Sequence, residues 1–210
     1  MADFEQRLME TLAELKPQRM TVEGARPASV LIPVVGAADP FLIFTVRTDT
    51  VRRHKGQISF PGGAVDASDA SSLDAALRET HEEIGLDPAS VTVIGELDTF
   101  PTFVSGYVVT PYVGWLTERP LLELNPAEVA SVLEVPLAEL SETIRSEPGF
   151  THGGRTYPTE AWVWEGHVIW GVTARIIRQL LEVLGDAELA ERPAGDGSWV
   201  IPPVPAPDNG

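Results

Sequence analysis

The chain is predicted to be an α/β protein. Apolar runs of strand length at 29–35, 41–46 and 107–116 alternate along the chain with helical segments at 73–84 and 172–184. The first two runs are continuously apolar, which implies burial on both faces of a sheet, and the third is rich in β-branched and aromatic residues. The helical segments repeat their apolar residues every three to four positions, which gives each one face to lay on that sheet.

Taken in order, Phe4, Leu8, Leu12 and Leu15 form the stripe of an amphipathic helix that Pro17 ends. Ser29–Val35 and Phe41–Val46 read as two strands joined through Gly36–Pro40. Ile58–Pro61 leads to a Gly62-Gly63 loop that feeds a helix from Leu73, stopped by Gly85. Val91–Asp98 and Tyr107–Leu116 read as strands, with Pro101–Gly106 as a loop on the substrate side. A short strand at Val132–Val135 follows, and Pro136 opens a helix through Ile144. His152-Gly153-Gly154-Arg155 marks a loop or hairpin tip, and Glu165-Gly166 a two-residue turn between Ala161–Trp164 and His167–Trp170. The last helix, Val172–Leu184, ends at Gly185, and prolines from Pro193 to Pro207 exclude regular helix or central strand in the tail. The expected organisation is a helix and lead-in over 1–28, the main domain over 29–190 and a Pro-rich tail over 191–210.

Composition narrows the function. With 31 acidic against 15 basic residues and a net charge of −16, the chain lacks the basic footprint that a nucleic-acid backbone requires. Cysteine is absent, so neither disulfides nor thiol chemistry are available. No apolar run reaches membrane-spanning length and the N-terminus carries no signal-peptide pattern, so a cytoplasmic protein is expected. Against the acidic background, Arg47, Arg52, Arg53 and Lys55 cluster with His54 and only Asp49 to oppose them. A local positive patch of this kind suits a small polyanion.

The helix from Leu73 carries the chemistry. Leu73, Leu77, Thr80 and Ile84 make its buried stripe and leave Arg78, Glu79, Glu82 and Glu83 on other faces. Three carboxylates crowd the C-terminal turns, where the helix dipole favours positive charge. Arg78 can pair with Glu82 at i, i+4, but it cannot neutralise all three. Glu79, Glu82 and Glu83 therefore offer hard oxygens to a divalent cation such as Mg²⁺. Taken alone, such an acidic run also describes a solvated helix face.

The order of residues separates the two. Arg78-Glu79-Thr80-His81-Glu82-Glu83-Ile84-Gly85-Leu86 resembles the second half of the Nudix hydrolase signature, with Thr80 where an aliphatic is expected. In the first half, Gly63 is followed by Asp69 in place of glutamate, and eight residues instead of seven separate Asp69 from Arg78. Upstream, Ile43–Arg47, Arg52, Gly56 and Phe60-Pro61-Gly62-Gly63 are similar, with matching intervals, to the additional signature of the coenzyme A pyrophosphatases; Thr48 stands where that subfamily has Ser or Ala. Glu165-Gly166-His167 through Ile169-Trp170-Gly171 and Thr173-Ala174 also looks like the C-terminal region of those enzymes.

The resemblance implies a Nudix α/β/α sandwich, a mixed curved sheet between helices, that hydrolyses coenzyme A and its derivatives to 3′,5′-ADP and 4′-phosphopantetheine with Mg²⁺ or Mn²⁺. It implies metal ligation by Glu79, Glu82 and Glu83 with the Gly63 backbone carbonyl, and orientation of the carboxylates by Arg78. Glu82 is the first candidate for the general base and Glu128, from a later loop, the second. Arg47, Arg52 and Lys55, with Gly62 and Gly63, would bind substrate; a guanidinium can hold phosphate bidentately, as Lys55 cannot. Alternatives are a Nudix pyrophosphatase acting on ADP-ribose or another nucleoside diphosphate derivative, and a Nudix-fold sensor that binds without turnover. The four histidines have no ligand spacing among themselves, and Trp162, Trp164 and Trp170 read as core or hairpin packing.

Overall fold

In the computed structural model, which describes residues 2–36, 38–48, 57–102, 105–141, 144–152 and 155–185, one mixed sheet lies between helices. Its centre is β1 (Arg26–Val35), parallel along its whole length to β7 (Tyr107–Leu116). The other ladders of this sheet are antiparallel. β2 (Phe41–Arg47) pairs with β1 at Val34–Leu42 and Val35–Phe41, then with β3 (Ile58–Ser59) and β8 (Val129–Pro136). β4 (Gly62–Ala64) takes the vacated edge of β1, and β5 (Thr92–Glu96) and β6 (Phe100–Pro101) pair with β7.

β1 alternates between two cores, as a strand covered on both faces must. Leu31 and Val35 join Ile43, Tyr112 and Leu116 beneath α2 (Ser72–Ile84), which contributes Ala76 and Ile84. Ile32 and Val34 face the other way, toward Leu8 and Leu12 of α1 (Ala2–Glu14) and Ile176, Ile177, Leu180 and Leu181 of α4 (Val172–Val183). This is the expected α/β/α sandwich with a mixed sheet at its centre.

Two expected elements differ. The helix from Pro136 through Ile144 is only α3 (Leu137–Ser141), because Ile144 opens β9 (Ile144–His152), whose backbone pairs with β10 (Arg155–Trp164). A ladder against a long strand outweighs the local helical preference. Gly62-Gly63 is likewise no loop but part of β4. β2 leaves the Ala28–Val30 stretch of β1 without a partner, and backbone groups there need one.

β10 turns into β11 (His167–Trp170) through Glu165 and Gly166, at φ 48° and 82°, the two positive values a type I′ hairpin requires. Trp162 is buried and donates its indole N–H to the Ala174 carbonyl at 3.1 Å, so it belongs to the core. Among the described residues no helix is long and apolar enough to cross a membrane.

Candidate active site

The site is assembled where α2 crosses β4. Ser71 caps the helix by accepting from the Asp74 N–H at 3.1 Å, and Gly85, at φ 69°, closes it by donating to the His81 carbonyl at 2.9 Å. Thr80, in the place of an aliphatic, is buried and donates its hydroxyl to Ala76 O at 2.7 Å, which satisfies the one polar group it adds.

Burial along α2 departs from the expected stripe. Leu73 and Leu77 are only partly buried, whereas Glu83, placed on a different face, is buried with Ala75, Ala76, Thr80 and Ile84. Its side chain turns under the helix to accept the Gly62 N–H at 3.1 Å. Burial pushes the Glu83 carboxyl up to about 7; the Gly62 bond and the nearby Arg47 cation oppose this, and Glu128 and Glu79 add to it. Glu79 is also raised, first by burial. Glu82 stays on the outer flank with 55% of its side chain exposed.

Arg78 has partners other than the expected one. Its guanidinium makes a two-pronged contact with Asp69, Nε to Oδ1 at 2.8 Å and Nη2 to Oδ2 at 3.0 Å, and bonds Glu79 Oε1 at 2.8 Å. Glu82 is reached only at 3.4 Å. Arg78 thereby holds Asp69 well below the usual carboxylate range. Asp69, one methylene shorter than the glutamate of the signature, reaches the arginine from the loop before α2. The Asp66 N–H, donating to Asp69 Oδ2 at 2.8 Å, fixes that turn.

Glycines shape the floor. A Cβ on Gly63 would stand 2.5 Å from Glu79 Oε2, so the missing side chain is the space the carboxylate occupies. The β4–β1 register also sets which way the glycine backbone groups face. Leu31 N–H donates to Pro61 O and Val65 N–H to Pro27 O. In an antiparallel ladder this alternation turns the Gly63 groups toward Ser29, and those of Gly62 and Ala64 outward. Consistently, Gly62 N–H meets Glu83 and Ala64 O accepts from Arg78 at 3.4 Å. The outward carbonyl beside Glu83 is that of Gly62, while Gly63 supplies space.

Arg47 and Glu128 arrive from the other side. A register shift between Val46 and Arg47 sets Arg47 against Val129 at the end of β2, and the fields of both Arg47 and Glu128 reach Glu83. Arg52, Arg53, His54 and Lys55 lie outside the described residues. His81 is exposed on the helix with its Nδ1 3.2 Å from Leu86 O.

Among the described residues no three carboxylates converge into a ready-made ion cage, since Glu79 faces Arg78 and Glu83 faces Gly62. The donor chemistry nonetheless fits a hard divalent ion: carboxylate and carbonyl oxygens, two of the carboxylates taken partly out of water, beside a glycine cradle.

A helix bearing arginine and three glutamates over a glycine strand, on a mixed sheet between helices, is the architecture of the Nudix hydrolases. The NUDIX domain profile matches residues 25–152, and the chain belongs to that family. The uncharacterized Nudix hydrolase NudL of Citrobacter koseri is 44% identical over 162 residues, covering 76% of this chain and 83% of the relative. NudL of Photorhabdus laumondii is 40% identical over 167 residues, 79% and 88% of the two chains. Among solved structures, DR0079 of Deinococcus radiodurans shares the fold, with a TM-score of 0.50 at 14% identity over 74% of this chain and 82% of that one.

Proposed function

We propose that this Nudix hydrolase cleaves the diphosphate of coenzyme A and its derivatives to 3′,5′-ADP and 4′-phosphopantetheine, using Mg²⁺ or Mn²⁺, as a cytoplasmic enzyme with a small-molecule substrate. The observation that carries the reading is Arg47, the first arginine of the upstream signature, standing at the end of β2 opposite Val129 and near enough for its charge to act on Glu83. A cation there can receive a phosphate that the carboxylates alone would repel.

In this reading Glu79, Glu82 and Glu83 hold the metal, with the Gly62 carbonyl better directed than that of Gly63. The bound ion supplies charge neutralisation on the diphosphate and lowers the pKa of a water. Asp69 fixes Arg78, which orients Glu79. Arg47, Arg52 and Lys55 grip substrate phosphates. Glu82, exposed and next to the metal carboxylates, is the first choice to take the proton from the attacking water, and Glu128 is the second.

The test is incubation with coenzyme A and Mg²⁺ while following 3′,5′-ADP. Turnover is expected; turnover of ADP-ribose instead overturns the substrate, and binding without any turnover makes the protein a sensor. Specificity is read on Arg52→Ala. A guanidinium on the ribose 3′-phosphate contributes roughly 1.5–3 kcal/mol, on the order of ten- to a hundredfold in kcat/KM. The variant is expected to lose that factor on coenzyme A and much less on dephospho-coenzyme A. An unchanged ratio between the two substrates removes Arg52 as the reader of that phosphate.

A further inference from the structure

We infer that Asn125 is a positioning residue that aims the Glu128 carboxylate at the α2 carboxylates; the inference rests on the proposal that Glu128 acts at this site. Glu128 lies in the turn 125–128 between β7 and β8, and a turn places a carboxylate usefully only when it is tied to the elements around it. Asn125 N–H donates to the Glu83 carbonyl at 2.9 Å, which fastens the turn to the C-terminal end of α2. On the other side the Thr48 N–H donates to Glu128 O at 3.0 Å and the Thr48 hydroxyl to Ala127 O at 3.2 Å. The turn is thus strung between the helix that carries Glu79 and Glu83 and the strand that carries Arg47.

Inside it, Asn125 O accepts both Glu128 N–H, at 3.0 Å, and Val129 N–H, at 2.9 Å. The side chain completes the unit. Asn125 Oδ1 accepts the Ala127 N–H at 3.1 Å. A backbone N–H can meet only the oxygen of the amide, so this bond fixes which end is which. The amide's NH₂ consequently faces Glu128, with Nδ2 3.5 Å from Oε1, at the outer limit of a hydrogen bond. Both Asn125 and Glu128 are half-buried, and the field of Glu128 reaches Glu79 and Glu83. An amide donor on one oxygen leaves the other free to face the cluster. An aspartate at 125 would keep the turn-closing acceptor and set a second negative charge against Glu128 instead. The Asn-Pro-Ala-Glu order, an acceptor two residues before the N–H it closes, is legible in the sequence as a turn.

The experiment is a double-mutant cycle on Asn125→Ala and Glu128→Gln, with Asn125→Asp as the third variant. Steady-state kcat and KM, Mn²⁺ affinity by electron paramagnetic resonance and thermal melting are measured on each. Asn125→Ala is expected to lower kcat roughly ten- to a hundredfold, the loss a misplacement of about 1 Å brings, with KM and Mn²⁺ affinity within about twofold. Asn125→Asp is expected to lose as much as Asn125→Ala although its turn stays closed. In the Glu128→Gln background, Asn125→Ala is expected to cost nothing further.

Independent, multiplying losses in the double variant overturn the proposal, because the asparagine would then act apart from Glu128. Wild-type kcat in Asn125→Asp does the same, since only the turn closure would matter. If Glu128→Gln alone retains wild-type kcat, the assignment of Glu128 to the site fails first and the positioning role falls with it. Should coenzyme A prove inert, the same variants are read on ADP-ribose, so a wrong substrate leaves the cycle interpretable.

Discussion

Glu83→Gln is expected to abolish turnover, by on the order of a thousandfold or more, while making the metal-free protein more stable. The two effects have one origin. A carboxylate buried to 4% exposure and pushed up to about 7 is held in the fold at the expense of its charge. Unfolded, it titrates near the ordinary glutamate value of 4.5. Between those two values the native state binds more protons than the unfolded state, so stability falls as pH rises through the interval. At about 1.4 kcal/mol per pKa unit, the rise from 4.5 to about 7 makes the penalty roughly 3 to 4 kcal/mol above pH 7. Glu79, raised in the same direction by burial, adds to the slope.

Urea denaturation of the metal-free wild type from pH 4.5 to 8 is therefore expected to show a declining contribution from this group. Glutamine, uncharged and still able to accept the Gly62 N–H, should flatten it. Mg²⁺ should restore wild-type stability at high pH and leave Glu83→Gln nearly unmoved, because a bound cation offsets the buried charge directly. The loss of turnover follows from the proposed role of Glu83 in holding the metal, whose charge would contribute several kcal/mol of transition-state stabilisation. A variant with near-normal activity would remove Glu83 from the site.

Gly62→Ala and Gly63→Ala are expected to fail in opposite ways, although the residues are adjacent. A Cβ at Gly62 would lie 2.3 Å from Ser29 O and 2.6 Å from the Val30 Cα, both backbone atoms, on a residue at φ +145°. Neither atom can move without breaking the central strand. Destabilisation beyond about 4 kcal/mol is expected, enough to leave little folded protein. At Gly63 the obstructing atoms are Glu79 Oε2 and Cδ, at 2.5 and 2.6 Å, the far end of a flexible side chain. Glu79 can swing away, so Gly63→Ala should stay within about 1.5 kcal/mol of wild type in denaturation. Its turnover should fall roughly a hundredfold, because the displaced carboxylate is the one Arg78 orients. Equal destabilisation of the two variants would show that β4 does not lie against β1 in this register.

The layered fold and the active helix were legible without coordinates because each follows from local pattern. Continuous apolar runs of strand length, bounded by turn residues, read as buried strands. The Arg78-Glu79 and Glu82-Glu83 pairs before Gly85 specify a capped helix with an acidic end. Glu165-Gly166 specifies its own turn, because a two-residue hairpin demands positive φ at both positions. What stayed hidden depended on contacts between distant segments. Periodicity placed Glu83 on an outer face, yet the Gly62 N–H, delivered by a strand twenty-one residues earlier, draws it inward. Asp69 broke the expected motif by one residue and one methylene, and only the folded loop shows it paired with Arg78. The strand character of Gly62-Gly63 depended on where β2 parts from β1, and the short α3 on a ladder with β10. Asn125 could be read as a turn former, but its placement between Glu83 and Glu128 required both β2 and α2 in position. Local propensity and spacing thus determine which elements form and which residues carry charge; the tertiary structure decides which of those charges are buried, paired or turned toward one another, since burial and pairing are properties of neighbours far apart in the chain.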